Sequence, residues 1–288
     1  MEILSVNHLK KYYGKQMGVE DVSFSIEEGE ILGFIGPNGA GKSTTIRCIL
    51  NLLYPTDGTI KVFGLDSVKD KVEIAKEIGY LPSEVAYYEN MKVIDLLEYS
   101  RSFYPGVSKD KMNQLVKRLE LDINRKIEDL SLGNKKKVGI IQGLLHQPKF
   151  IILDEPTSGL DPLMQQTFFD ILKEENKNGA TILFSSHILS EVKRLSDRIV
   201  FIKDGLIEDL EHLSDNEEYN YKVVHLTSEQ PIESEFLQFK ERIGPTSSYY
   251  YRGKPKDLIS LLATLEFDNV LIEDPSLEEV FLQYYKGH

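Results

Sequence analysis

Gly36-Pro37-Asn38-Gly39-Ala40-Gly41-Lys42-Ser43-Thr44 fits the pattern GxxxxGK[ST] at every fixed position. The residue types suit one task. Backbone N–H groups that converge on a phosphate chain need glycines, which permit unusual φ angles and close approach. A helix opening near Lys42 would add the positive end of its dipole. Lys42 would reach the β and γ phosphates, and the Ser43 hydroxyl would offer an oxygen to Mg²⁺. The pattern predicts nucleotide binding.

Such a loop needs a buried strand before it and a helix behind it. Ile31 to Ile35 is a continuous apolar run, and Ile46, Ile49 and Leu50 resume the apolar pattern after the loop. Two further apolar runs end in residues with chemistry to offer. Phe150 to Leu153 leads into Asp154-Glu155-Pro156, and Thr181 to Phe184 leads into Ser185-Ser186-His187. Helical stretches at 163–175 and 189–195 alternate with these runs and with Arg198 to Lys203. The alternation predicts an α/β domain with a largely parallel sheet.

Residues 1–30 read instead as antiparallel strands, with Val22-Ser23-Phe24-Ser25-Ile26 alternating cleanly. Tyr12-Tyr13-Gly14 lies among them. An exposed aromatic there could stack on a nucleobase, and a tyrosine pair is equally at home in strand packing. From Ser83 to Pro105 the chain is rich in tyrosine, which suits both a core and a partner surface. Residues 107–129 are polar and helix-forming with the stripe Met112, Leu115, Leu119, and Leu130 to Leu145 forms another helix. Lys135, Lys136 and Lys137 read as a solvated face of that helix. An acidic hinge near 213–218 precedes a small α+β appendage. In it, Tyr219 to Thr227 is strand-like, Lys256 to Leu265 is helical and Val270 to Ile272 is a strand. A last helix opens with Ser276 and Glu279 in capping-box spacing.

The 288 residues suit one large domain and a smaller one, and 41% hydrophobic content supplies a core. A net charge of −12 argues against a nucleic-acid partner and against broad adsorption to anionic lipid. The single Cys48 excludes an internal disulfide and fits a reducing compartment. No apolar run approaches the ~20 residues of a membrane-spanning helix. MEILSVNHLKK lacks a basic flank followed by a long apolar core, so no signal peptide is expected.

Over residues 1–212 the sequence resembles the nucleotide-binding subunit of an ATP-binding cassette (ABC) transporter, most like the bacterial drug, antibiotic and peptide export branch. Ile151 to Glu155 resembles the Walker B strand, which implies Asp154 on Mg²⁺ and Glu155 as general base. Leu130-Ser131-Leu132-Gly133-Asn134 stands where the family carries LSGGQ; Leu130, Ser131 and Gly133 match. The resemblance implies that Ser131 and Gly133 meet the γ-phosphate of ATP held by an opposite subunit. Ser158-Gly159-Leu160-Asp161 resembles the D-loop, so Asp161 would couple the two sites, although before Pro162 it is also a ready helix cap. His187 resembles the switch histidine and Tyr13 the adenine-stacking aromatic. Where the family usually has a glutamine on Mg²⁺, Ser83 stands, a shorter candidate ligand needing a bridging water.

The implied fold is a P-loop NTPase core with a largely parallel sheet, an antiparallel β subdomain and a helical subdomain at about 83–145. It occupies 1–214, with the accessory α+β domain at 215–288. Lys42, Glu155 and His187 would be catalytic. The implied activity is ATP hydrolysis with Mg²⁺, in a dimer with a second copy or a homologous ATPase subunit. That dimer would sit on the cytoplasmic face of the membrane and power separate integral membrane permease subunits. The alternatives are a soluble ATPase of DNA or ribosome function and an ATP-binding regulatory or immunity module without turnover.

Overall fold

The computed structural model describes residues 1–208, 221–232 and 234–275, and divides the chain into two compact units, Met1–Glu208 and Asp209–His288. The expected hinge at 213–218 and the last helix with Ser276 and Glu279 lie outside the described residues.

In the first unit, β1 (Glu2–Tyr13) and β2 (Gln16–Glu27) form an antiparallel hairpin that turns at Gly14, φ +62°. Leu4, Val6, Leu9, Val22 and Ile26 fill its inner face. β3 (Ile31–Ile35) is buried at every residue, as a strand covered on both sides must be. The loop 36–41 then leads to α1 (Lys42–Ile49), which buries Thr45, Ile46, Cys48 and Ile49. β4 (Asp57–Val62) pairs with β1, and the short β5 (Leu65–Asp66) pairs with β4. α2 (Lys71–Lys76) and β6 (Ile78–Leu81) complete this half.

A helical section follows: α3 (Val93–Ser102), α4 (Lys109–Arg118), a 3-10 turn at Ile127–Asp129, and α5 (Leu132–Leu144). The stretch expected to be one helix over 107–129 stops at Arg118, where Glu120 turns to φ +50°. α5 starts two residues later than the pattern implies, because Leu130 is extended and Ser131 is the cap. Ion pairs from Lys111 to Glu175 and Arg118 to Glu174 fasten α4 to the next long helix, α6 (Pro162–Lys177). Before α6 lies β7 (Phe150–Asp154), and after it β8 (Thr181–Ser186), both wholly buried. α7 (Leu189–Leu195), β9 (Arg198–Lys203) and β10 (Leu206–Glu208) close the unit.

The strands run β5-β4-β1-β2-β10-β9-β3-β8-β7-β6 in one sheet. From β9 to β6 all neighbours are parallel; from β2 outward they are antiparallel. This is the mixed α/β architecture that the sequence pattern predicts. Its consequence is positional. β3, β7 and β8 lie side by side in parallel, so their carboxyl ends deliver the 36–44 loop, Asp154-Glu155 and His187 to one edge, where ligands bind in such sheets.

The second unit holds an antiparallel sheet ordered β12-β13-β11-β14, made of β11 (Tyr221–Thr227), β12 (Leu237–Ile243), β13 (Thr246–Arg252) and β14 (Asn269–Glu273). α8 (Pro255–Leu262) packs Leu258 and Leu262 against Val224, Leu226, Tyr249 and Tyr251. Among the described residues no helix is long and apolar enough to cross a membrane.

Candidate functional site

The 36–44 loop is built on close backbone approach. A Cβ at Gly36 would lie 2.1 Å from the Ile202 carbonyl oxygen, and Gly41 holds φ +110° as the residue before α1. Both positions demand glycine. Lys42, only 5% exposed, lays its ammonium across the loop. Its Nζ donates to the Gly36 carbonyl at 2.7 Å and the Pro37 carbonyl at 3.1 Å. The same Nζ is 3.5 Å from Glu155 Oε1. A cleft of ≈ 450 Å³ runs along this loop, with Tyr13 and Met17 at one end and Glu155 at the other. Asn38, Gly39, Ser43 and Thr44 line it between them, whereas Pro37 and Ala40 shape the loop behind.

Asp154 ends β7 with no exposed surface. Its Oδ1 accepts hydrogen bonds from Ser43 Oγ at 3.1 Å and Ser185 Oγ at 2.8 Å. Its Oδ2 is buried without a hydrogen-bond partner. An orphaned carboxylate oxygen beside a serine hydroxyl is the donor set a hard divalent cation takes, so these residues fit Mg²⁺. Ser83 enters the site through its main-chain carbonyl, which accepts from Lys136.

Glu155 turns sharply out of the strand at φ +45°, a strained angle for a residue with a side chain. The turn is enforced at its N–H, which donates to the Ser185 carbonyl at 3.2 Å and to Ser185 Oγ at 3.1 Å. It aims the carboxylate at the loop. Glu155 Oε1 also lies 3.3 Å from Nδ1 of His187, whose ring is half-exposed at the end of β8. One carboxylate thus touches both the lysine of the loop and the histidine.

Tyr13 presents a 44% exposed ring. It lies against Gly18, where a Cβ would meet the ring at 2.8 Å, and the Lys11 ammonium sits 5.3 Å from its centroid. Tyr12 is committed elsewhere, its hydroxyl donating to Glu20. Of the pair, Tyr13 is the one whose ring is exposed at the cleft.

Ser131 caps α5 by accepting from the Asn134 N–H at 3.4 Å, and stays exposed. Gly133, in the first turn of α5, packs on the loop ahead of α6: a Cβ there would lie 2.6 Å from the Gly159 carbonyl oxygen. Asp161 caps α6, accepting from the Met164 N–H at 3.0 Å.

The lysine run departs from the expectation of a solvated face. Lys136 is 1% exposed, and its Nζ donates to the carbonyls of Pro82 (2.9 Å), Ser83 (3.0 Å) and Glu155 (3.2 Å). Burial pushes its ammonium down to about 8, against the pull of Asp154 and Glu155, which favour the charge. Helical spacing explains the position. Lys136 shares a face of α5 with the buried Gly139, Ile140 and Gly143, three, four and seven residues on, and charge alone does not reveal it.

A family model described as ABC transporter matches residues 19–158. The uncharacterized ABC transporter ATP-binding protein YhcH of Bacillus subtilis (strain 168) is 31% identical over 98% of this chain and 95% of its own length. The chain belongs to the ABC transporter ATP-binding family. The bacitracin transport ATP-binding protein BcrA of Bacillus licheniformis is 37% identical over 72% of this chain and 69% of its own. Among solved structures, an ATP-binding cassette captured as a dimer in a post-hydrolysis state with ADP and Pi is similar at TM-score 0.65. It is 26% identical and covers 72% of this chain and 97% of its own. This ABC subunit binds and hydrolyses ATP.

Three residues that hold this constellation together lie outside the motifs. Ser185 holds both Asp154 and Glu155. Buried Glu191 accepts from Thr157 Oγ1 at 3.0 Å and Ser186 Oγ at 2.9 Å, tying the loop after Glu155 to the residue before His187. Lys136 is the third. Ser185 had a signal, being polar at the end of an apolar strand; the other two acquire their partners only in the fold.

Proposed function

We propose that this ATPase powers an exporter: a dimer of cassettes with two ATP molecules at the interface, acting on separate membrane-spanning subunits from the cytoplasmic face. The observation that supports hydrolysis is the Glu155 carboxylate lying 3.5 Å from Lys42 Nζ and 3.3 Å from His187 Nδ1, and the exporter reading is supported by the likeness to a bacitracin transport ATP-binding protein.

In this reading Lys42 and the N–H groups of residues 36–44 hold the phosphates, and Tyr13 stacks on the base. Glu155 orients water and takes its proton, and His187 helps place that water. Ser43 and Asp154 would hold Mg²⁺, with Ser83 a candidate ligand through a bridging water; the ion would offset the negative charge of the phosphates. Ser131 and Gly133 offer a hydroxyl and an N–H to the nucleotide of the opposite cassette, and Asp161 lies on the loop between the sites. Amphipathic antibiotics, drugs or peptides are the proposed cargo, on the strength of the bacitracin transport relative. The tyrosine-rich segment, where Tyr88 and Tyr99 are 72% and 53% exposed, is the proposed contact with the membrane subunits. Residues 215–288 are proposed as an accessory domain.

The test is a mild-detergent pull-down of the tagged chain from its native membranes, with the recovered proteins identified by mass. A multi-span membrane protein is expected. Recovery of only ribosomes, nucleic acid or soluble proteins would leave the ATPase and overturn the transporter.

A further inference from the structure

Lys136 is an expensive residue to keep. Burying an ammonium costs several kcal/mol even after relaxation, and an apolar side chain of the same length packs as well or better. Its three N–H donors meet three main-chain carbonyls, so the head group is fully satisfied without a direct ion pair. Those carbonyls come from two places that the hydrolysis site must keep in register: the turn after β6 and the strained residue after β7.

Glu155 needs such a hold. At φ +45° its peptide planes are not at rest, and they are pinned on both sides. Ser185 takes the N–H; the carbonyl accepts from Lys136 at 3.2 Å and, more weakly, from the Ser158 N–H at 3.4 Å. Without the lysine only the longer bond holds that carbonyl, so the residue relaxes towards an ordinary strand-to-loop angle and its carboxylate shifts with it. Ser131 and Gly133 stand within a turn and a half of Lys136 on the same helix.

We propose that Lys136 is a positioning residue for hydrolysis: its ammonium clamps the Glu155 carbonyl and the 82–83 turn to α5, so the helix that presents Ser131 and Gly133 also aims the base. The inference rests on the reading of Glu155 as that base. It also accounts for Ser83. The link between the 82–83 turn and the site runs through the main chain and a lysine from another helix, so the side chain at 83 is not required to make it.

The experiment compares full-length Lys136→Met, Lys136→Arg and Lys136→Gln with the parent chain in steady-state ATP hydrolysis, equilibrium ATP binding and thermal melting. Lys136→Met keeps the shape and removes every donor. It is expected to lower kcat by about tenfold or more while KM and the ATP dissociation constant stay within about twofold, because the hydrogen bonds of Lys136 go to the carbonyls of Pro82, Ser83 and Glu155 and not to the 36–44 loop. Lys136→Arg, which keeps charge and donors, should recover much of the rate. If the Met variant does not fold, Lys136→Gln, with two donors on a shorter stem, is read for the same kcat-only loss. A folded Met variant with kcat within about twofold of the parent, or kcat and KM failing together in both Met and Gln, overturns the proposal. Glu155→Gln in the same assay separates the two failures. If it is inactive while Lys136→Met is normal, only the lysine assignment falls; if it turns over normally, the reading of the base falls.

Discussion

Alanine at Gly133 pits two effects of opposite sign against each other. In a helix, alanine is favoured over glycine by about 1 kcal/mol, so a Gly133 that merely sat in the first turn of α5 would be stabilised by the change. The added Cβ, however, would lie 2.6 Å from the Gly159 carbonyl oxygen. Ordinary C···O contacts begin near ~3.3 Å, so the two backbones must part by roughly 0.7 Å. Neither has a side chain to swing aside. Gly159 sits at φ +82° in a loop held by the Leu160 N–H on the Thr157 carbonyl at 3.0 Å. Overpacking against such a partner costs about 1–3 kcal/mol, which matches the helical gain at its least and exceeds it by about 2 kcal/mol at its most. In a unit of this size the net loss lowers the melting point by up to roughly 8 °C. The displaced residue is one of the two proposed to meet the opposite nucleotide, and misplacement approaching 1 Å costs up to about 10²-fold in rate. Melting, ATP binding to the isolated chain and steady-state turnover together decide which effect wins. The expected pattern is a lower melting point, unchanged ATP affinity and turnover reduced tenfold or more, on the order of that figure. A raised melting point with undiminished turnover would show that the 133–159 contact yields freely, and the reasoning would fail.

Glu155→Gln preserves shape but cannot take a proton. Turnover should fall by about 10²–10⁴-fold while ATP still binds, and a rate near that of the parent would remove Glu155 as the base. Tyr13→Ala should weaken ATP binding by roughly 2–12-fold, the equivalent of ~0.5–1.5 kcal/mol of ring stacking. Tyr12→Phe should leave it unchanged, since that hydroxyl is engaged with Glu20; equal effects from the two, measured by nucleotide titration, would refute the division of roles.

What is legible in the sequence divides along physical lines. The 36–44 loop, the buried strands and the acids at the end of β7 declare themselves because their constraints are local: a glycine where a backbone must approach, an apolar run where both faces are covered. The helical section is legible in kind but not in extent, since the end of α4 depends on a single left-handed residue, Glu120. β12 and β13 escape the sequence reading, although Gly244-Pro245 between two strand-like runs is a turn signal. Lys136 misleads because a lysine run on a helix is ordinarily solvated, and only the packing of α5 against the 82–83 turn and Glu155 puts its middle member inside. Glu191 is silent for a similar reason, because its partners at 157 and 186 are distant in sequence or on another element.

β10 meets β2 in parallel at Leu206 opposite Asp21, next to a turn where the Gly205 carbonyl accepts from the N–H groups of Glu20 and Asp21. The Gly205 N–H in turn donates to the Ala40 carbonyl of the phosphate loop. Gly205 thus ties the backbone of the hairpin bearing Tyr13 to the phosphate loop, alongside the apolar core the two share and the Arg198 bond to the Ser25 carbonyl. At φ +73°, with an added Cβ only 2.6 Å from the Glu20 nitrogen, position 205 takes glycine, and a side chain there would push the hairpin and the phosphate loop out of register together.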